Sequence, residues 1–96
     1  MSKSPFIESI RLILRTKRYS LKTEKAYLHW IRRFIYFNGK RHPKDMGELE
    51  VEQLLTHLAI TLKVSPTTQN QALCAIIFMY RHVLEMDLTN MAFTFA

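Results

Sequence analysis

Apolar residues recur along this chain at spacings of three and four positions, which is the period of an α-helix. The clearest stretch, residues 20–37, reads SLKTEKAYLHWIRRFIYF. On a helical projection, one broad side carries Tyr27, Leu28, Trp30, Ile31, Phe34, Ile35 and Phe37. The opposite arc, called the basic stripe below, carries Lys22, Lys25, His29, Arg32, Arg33 and Tyr36. The pattern predicts a helix with a core side and a basic side.

Serine and proline residues predict where the helices begin. Ser4-Pro5 and Ser65-Pro66 are typical helix starts, because a serine side chain accepts free amides and proline at the first position gives up no needed hydrogen bond. Ser20 predicts a second start of the same kind. The sequence Asn38-Gly39 predicts an end, since glycine readily adopts the left-handed conformation. We expect helices over residues 5–17 and 21–38, a third after Gly47, and a fourth over residues 66–86.

The third and fourth helices each have a predicted core face. That of the third helix comprises Val51, Leu54, Leu55, Leu58 and Leu62, and its first turns carry the acids Glu48, Glu50 and Glu52, which the helix dipole favours there. That of the fourth comprises Leu73, Ile76, Ile77, Tyr80, Val83 and Leu84. Residues 40–46 form a connector, because Pro43 has no amide donor and moves His42 out of helical geometry. No segment alternates with period two over four or more residues, so the sequence predicts an all-α fold.

Length and composition limit the organisation to one domain. The chain has 96 residues, 48% of them apolar, which suffices for one small core. We assign residues 1–88 to this domain and leave residues 89–96, TNMAFTFA, as an unassigned tail, because they show no periodicity or capping. The single cysteine, Cys74, excludes an internal disulfide, suits a reducing cytoplasm and is expected in the core. Met46, Met79 and Met86 are also expected to fill the core.

Charge is distributed unevenly along the chain. Residues 1–44 contain twelve Lys or Arg against Glu8 and Glu24, giving +10, whereas residues 45–96 contain six acids against Lys63 and Arg81, giving −4. A domain that is basic in one half favours a polyanionic partner. Nucleic acid is the leading candidate, and an anionic membrane surface is a weaker one.

Two groups of residues fit contact with nucleic acid. The basic stripe could neutralise phosphates, with Thr23 and Tyr27 beside it as neutral donors. The polar stretch at the start of the fourth helix, residues 67–71, could bind an anion through free amides or pair with adenine through Asn or Gln. An ordinary solvated helix face explains either group as well. The sequence alone leaves both interpretations open.

Other kinds of site find little support in the sequence. The four histidines, at positions 29, 42, 57 and 82, show no metal-ligand spacing with Cys74 or with one another. Glycine-rich phosphate loops, nucleophile elbows and paired catalytic acids are also lacking. We therefore expect no cofactor, no metal and no small-molecule substrate. The start MSKSPF lacks the pattern of a signal peptide, and no stretch of about 18 apolar residues occurs, so we expect a soluble cytoplasmic protein without membrane contact.

Four segments together resemble a known family: TEKAYLHWIRRFIYF, the RHP of the connector, VEQLLTHLA and SPTTQNQALCAIIFMYRHVL. The set is similar to the N-terminal core-binding domain of tyrosine recombinases, the phage-integrase superfamily, and within it looks most like integron integrases. The resemblance implies a compact four-helix SAM-like bundle that closes over one face of double-stranded DNA at a recombination site. It also implies a bacterial, nucleoid-associated location. Its second and fourth helices would contact the DNA through Lys22, Thr23, Lys25, His29, Arg33, Thr67, Thr68, Gln69 and Asn70.

The catalytic residues of that family are expected elsewhere. They comprise an Arg, an H-x-x-R element and a nucleophilic Tyr in a separate domain, and His82 here is followed by Val83, Leu84 and Glu85. We therefore expect no catalysis by this chain. The tail stands where an acidic Pro-Trp linker would be expected, which suggests a truncated or frame-shifted product or a non-native end. The alternative function is a helical interaction module, whose basic face binds an acidic protein or whose apolar tail, through Met91, Phe93 and Phe95, pairs with another copy.

Overall fold

Four α-helices joined by short connections make up residues 5–86, the part of the chain that the computed structural model describes. They are α1 (Pro5–Thr16), α2 (Leu21–Phe37), α3 (Glu48–Thr56) and α4 (Pro66–Phe78). A 3₁₀ turn, Pro43–Asp45, lies between α2 and α3, and π-helical turns, His57–Thr61 and Met79–Val83, extend α3 and α4. Within this range there is no strand. The predicted all-α fold is confirmed.

The starts of α2 and α4 follow the predicted capping chemistry, whereas the Ser4 cap predicted for α1 lies outside the described residues. Ser20 and Ser65 both have extended backbones, and their side chains accept hydrogen bonds from the amides of Thr23 and Thr68 at 3.1 and 3.2 Å. The α3 start uses a carboxylate instead, since the Gly47 amide donates to Glu50 Oε1 at 2.7 Å. This bond is the main cause that lowers the pKa of Glu50. Each of these three helices therefore begins where a side-chain oxygen can satisfy free amides.

The helix ends show where prediction and structure differ. Gly39 has φ 73°, its amide donates to the carbonyl of Tyr36, and the next amide donates to Ile35, which is the glycine stop predicted for α2. The fourth helix is predicted to run to about Met86, but its regular α-helical part ends at Phe78. Beyond it, the Met86 amide reaches back to the Tyr80 carbonyl at 2.8 Å. Wider hydrogen-bonded rings therefore replace the last predicted turns of the α-helix.

The core lies between α2 and α4, with α1 and α3 packed against them. Aromatic rings fill much of it: Phe34 meets Tyr80 at 6.2 Å between centroids, and Phe78 meets Tyr19 and Tyr27 at 5.2 and 5.6 Å. Because α4 and its π turn contact all three other helices, they are buried on more than one side. Their buried residues are Ala72, Leu73, Ala75, Ile76, Phe78, Met79 and Tyr80. The sequence analysis predicted only one core face for α4, and it therefore missed the burial of Ala72, Ala75 and Phe78.

Three residues expected in the core are exposed. Cys74 lies on the surface, because it shares the polar face of α4 with Thr67 and Gln71. Phe37 is 40% exposed at the last residue of α2, beyond the reach of the core. Leu62 is 44% exposed, because the π turn before it changes the helical phase that the prediction assumed.

Two polar contacts hold the elements together, and neither was predicted from the sequence. The buried hydroxyl of Tyr80 donates to the Pro43 carbonyl at 2.7 Å and so ties the connector to α4. The Glu24 carboxylate is buried between α1 and α2, where Arg15 Nε donates to it at 3.0 Å and Arg11 Nε lies 3.6 Å away. A buried carboxylate requires such partners.

Candidate nucleic-acid interface

The basic stripe of α2 lies on the surface over its whole length, as predicted. Its four permanently charged residues are Lys22, Lys25, Arg32 and Arg33, and none of them forms an ion pair within residues 5–86. Three other arginines of the basic half, Arg11, Arg15 and Arg41, are paired with Glu8, Glu24 and Glu50. The stripe therefore carries positive charge that the described part of the protein leaves uncompensated.

Thr23 and Tyr27, the two neutral residues beside the stripe, both contact neighbouring side chains. The Thr23 hydroxyl accepts a hydrogen bond from the Ser20 hydroxyl at 2.9 Å and keeps its own proton for another acceptor. Tyr27 is half-buried, and its ring packs against Tyr19 and Phe78. Burial raises the pKa of the Tyr27 hydroxyl. Thr23 thus remains suited to a phosphate, whereas the Tyr27 ring belongs to the edge of the core.

The predicted residues at the α4 start differ in their availability. Thr67 is exposed, but Thr68 is part of the helix cap, where its hydroxyl accepts from the Ser65 hydroxyl at 3.0 Å. Gln69 and Asn70 are half-buried. Residues 67, 70, 71 and 74 follow the i, i+3, i+4, i+7 spacing of one helix face. Gln71, which is exposed, belongs to the polar stretch but is not among the predicted DNA contacts.

A hydrogen bond between side chains connects α2 with the polar start of α4. The Trp30 indole Nε1 donates to Gln71 Oε1 at 3.4 Å, and the Trp30 ring also makes an edge contact with the His29 ring at 4.9 Å. His29 belongs to the basic stripe, and Arg33 follows Trp30 by about one helical turn. The two groups of residues that the sequence singled out therefore meet at Trp30.

Two open grooves flank the stripe. One, of about 380 Å³, lies between α1 and α2 and is lined by Arg11, Arg15, Leu21, Glu24, Lys25, Leu28, His29 and Arg32. The other, of about 470 Å³, lies at the end of α2 and is lined by His29, Arg32, Arg33, Tyr36, Phe37 and His57. In the second groove the Phe37 and His57 rings are 5.0 Å apart. Beyond the stripe itself, the first groove adds arginines that are already paired with Glu8 and Glu24, and the second adds the Phe37 and His57 rings, so neither groove adds uncompensated positive charge.

The described residues define few other candidate sites. Within residues 5–86, no group of three or more His, Cys, Asp or Glu side chains is placed to hold a metal ion. In the same range, the helices are too short or too polar to cross a membrane. The tail residues Met91, Phe93 and Phe95, for which self-association is predicted, lie outside the described range. The stripe and the α4 start therefore remain the main candidate site.

Fold and site together define a small helical domain with an exposed basic face on α2 whose cations form no ion pair among residues 5–86, and comparison with known proteins agrees with this class. Residues 6–90 match the family described as phage integrase, N-terminal SAM-like domain. The chain belongs to this family, so the predicted SAM-like bundle is confirmed. Two proteins named integrase/recombinase, from Escherichia coli and Pseudomonas aeruginosa, are each 49% identical to it over 82 residues. The aligned region covers 85% of this chain and 24% of each relative, so the chain spans a minor part of those proteins.

Proposed function

We propose that this chain is the DNA-contacting core-binding domain of a site-specific tyrosine recombinase, of the integron integrase kind. In this role the basic stripe of α2 and the polar start of α4 lie against one face of a DNA duplex. A separate domain supplies the catalytic residues. The observation that carries the proposal is the row of four exposed cations, Lys22, Lys25, Arg32 and Arg33, without ion-pair partners among residues 5–86.

The physical argument rests on the release of counterions. Duplex DNA carries a condensed layer of cations, and each phosphate that a Lys or Arg neutralises releases part of this layer. Cations already paired with carboxylates, such as Arg15 with Glu24, contribute less, because their charge is compensated. The exposed hydroxyl of Thr67 adds a donor that suits phosphate oxygens, whereas the amides of Thr68 and Gln69 already donate to Ser65. The names of the two relatives support the same assignment.

The salt dependence of duplex binding tests the proposal. We expect affinity in the micromolar range or weaker at physiological salt, as for nonspecific binding, with log affinity falling linearly against log salt. Replacing Lys22, Lys25 and Arg33 with alanine reduces the magnitude of the slope by up to about 0.9 for each phosphate that is no longer neutralised. The matched control replaces Lys17, Lys44 and Arg81, which are exposed, lie outside α2 and make no ion pair within residues 5–86.

The two triple variants lose the same net charge, so their comparison separates a local contact from the general field of the protein. Equal slopes for the stripe variant and the parent would show that the stripe is ordinary solvated surface. A further control neutralises Glu48 and Glu52, which are exposed on α3 outside the proposed face. Their removal strengthens binding slightly through the field alone.

One further experiment addresses catalysis, and the salt titration also addresses the alternative function. Incubation with supercoiled DNA and with synthetic junctions should yield no covalent protein–DNA adduct, because residues 6–90 match the N-terminal domain of the family, whereas we place its catalytic Arg, H-x-x-R element and Tyr in a separate domain. The alternative, an interaction module for an acidic protein, predicts little duplex binding even at low salt. Salt-dependent duplex binding that requires the stripe therefore decides between the two functions.

A further inference from the structure

The Trp30–Gln71 contact fixes which end of the Gln71 amide faces the protein. An indole N–H can only donate a hydrogen bond, so the group facing Trp30 Nε1 must be the carboxamide oxygen of Gln71. The amide nitrogen of Gln71, with two hydrogens, then lies on the other side of the carboxamide. Among residues 5–86, no group accepts a hydrogen bond from this nitrogen. Trp30 thereby selects one orientation for a side chain that would otherwise rotate.

The side-chain amide of Gln71 lies within the proposed DNA face. Gln71 is exposed on α4, on the same helical face as Thr67 and Cys74. Trp30 is only 8% exposed, so its indole is a firmly packed anchor. His29 touches the Trp30 ring from the side of the basic stripe. The two N–H donors of the Gln71 amide are therefore held in place by buried Trp30 and lie next to the basic stripe. This arrangement suits recognition of an acceptor atom that lies close to a phosphate.

On this basis, and resting on the proposed function, we infer that Gln71 is a base-contacting residue of the DNA face and that Trp30 is its positioning residue. The Gln71 amide donates to an acceptor on a base edge in the major groove. The acceptors there are purine N7, guanine O6 and thymine O4, whereas cytosine presents only a donor. The contacted base is therefore one other than cytosine. The bidentate pairing of glutamine with adenine is not used, because the carboxamide oxygen is directed at Trp30.

The test measures sequence preference separately from affinity. The folded chain is mixed with a pool of duplexes that contain a short randomised segment, and bound and unbound fractions are sequenced. We expect the parent to disfavour cytosine at one position by about three- to fivefold, near the low end for a single base contact. Gln71→Leu removes this preference, and Trp30→Phe weakens it, because the amide then rotates freely. The salt slope stays unchanged in both, since neither change removes a charge.

A matched control and an optical readout complete the test. Gln53→Leu makes the same substitution at an exposed position of α3, away from the proposed face, and should keep the parent's preference. Trp30 is the single tryptophan of the chain, so its fluorescence reports the contact directly. The emission of the free protein shifts in Gln71→Leu and stays constant in Gln53→Leu. This readout distinguishes positioning by Trp30 from a general loss of stability.

The outcomes separate this inference from the proposed function. Salt-dependent binding by the parent with no sequence preference, or with a preference that survives in Gln71→Leu, overturns the inference alone. An emission that does not respond to Gln71→Leu also overturns it, because the Trp30–Gln71 hydrogen bond is then absent in solution. Absence of salt-dependent duplex binding by the parent overturns both the proposed function and the inference.

Discussion

Exposure changes sharply between neighbouring residues on α4, and this decides how each can be tested. Leu73 is 2% exposed, whereas Cys74 lies on the surface. We therefore expect Cys74 to react with a thiol reagent in the folded protein at a rate close to that of the unfolded chain. Cys74→Ser should change the free energy of unfolding by no more than about 0.5 kcal/mol, as is usual at the surface. Leu73→Ala should cost about 2–5 kcal/mol. Slow reaction of Cys74 under native conditions would contradict its placement.

The same cysteine also reports on the proposed DNA face. Cys74 follows Gln71 by three positions on the exposed side of α4. Duplex DNA bound across the start of α4 should slow alkylation of Cys74, and the protection should disappear at high salt together with binding. The rate of alkylation with and without duplex measures this. Alkylation at an unchanged rate while DNA is bound would place the duplex on another surface.

Tyr80 provides a test of the link between the connector and the core. Tyr80→Phe removes the hydrogen bond to the Pro43 carbonyl, and the change should cost about 1–3 kcal/mol because a buried acceptor is left without a partner. Burial raises the pKa of Tyr80 above its ordinary value of 10.0, so the neutral form stabilises the fold fully below pH 10. Stability is lost as the pH rises above that value. Denaturant unfolding at neutral and alkaline pH should show a smaller alkaline loss in Tyr80→Phe than in the parent.

At the level of elements, the buried carboxylate of Glu24 joins α1 to α2. Glu24→Gln keeps the shape but leaves Arg11 and Arg15 without their shared charge partner, and we expect stability to fall by about 1–3 kcal/mol. Glu8→Gln removes a more exposed pairing with Arg11, and its cost should stay below about 1 kcal/mol. Thermal unfolding of the two variants compares them directly. Equal losses of stability would show that burial of Glu24 contributes nothing beyond a surface ion pair.

For the whole molecule, the uncompensated basic face should lower stability at low ionic strength. Like charges such as Lys22 and Lys25 repel one another along α2, at about 0.2–0.5 kcal/mol per pair. Added salt screens this repulsion, so the melting temperature of the parent should rise with salt. The variant that lacks Lys22, Lys25 and Arg33 should be more stable than the parent in low salt and respond less to added salt. A stripe variant less stable than the parent in low salt would contradict the expected repulsion.

Local chemistry was sufficient to predict much of this protein. The start of α2 at Ser20, the end at Gly39 and the start of α4 at Ser65 depend on hydrogen bonds between residues no more than five positions apart. The exposed basic stripe followed from helical period alone, because its residues fall opposite the apolar side. The helix ends and the basic stripe both depend on residues that are close in the sequence. The sequence alone therefore contains what is needed to predict them.

Only the tertiary structure decided which surfaces of each helix are covered. Whether Cys74 or Phe78 is buried depends on the helices packed around α4, and these come from distant parts of the chain. The burial of Glu24 requires the packing of α1 against α2, and the Tyr80 hydroxyl meets a carbonyl 37 positions away. The Trp30–Gln71 contact spans 41 positions and joins the two candidate surfaces. Such contacts depend on the relative placement of helices, which the period of apolar residues within one helix does not specify.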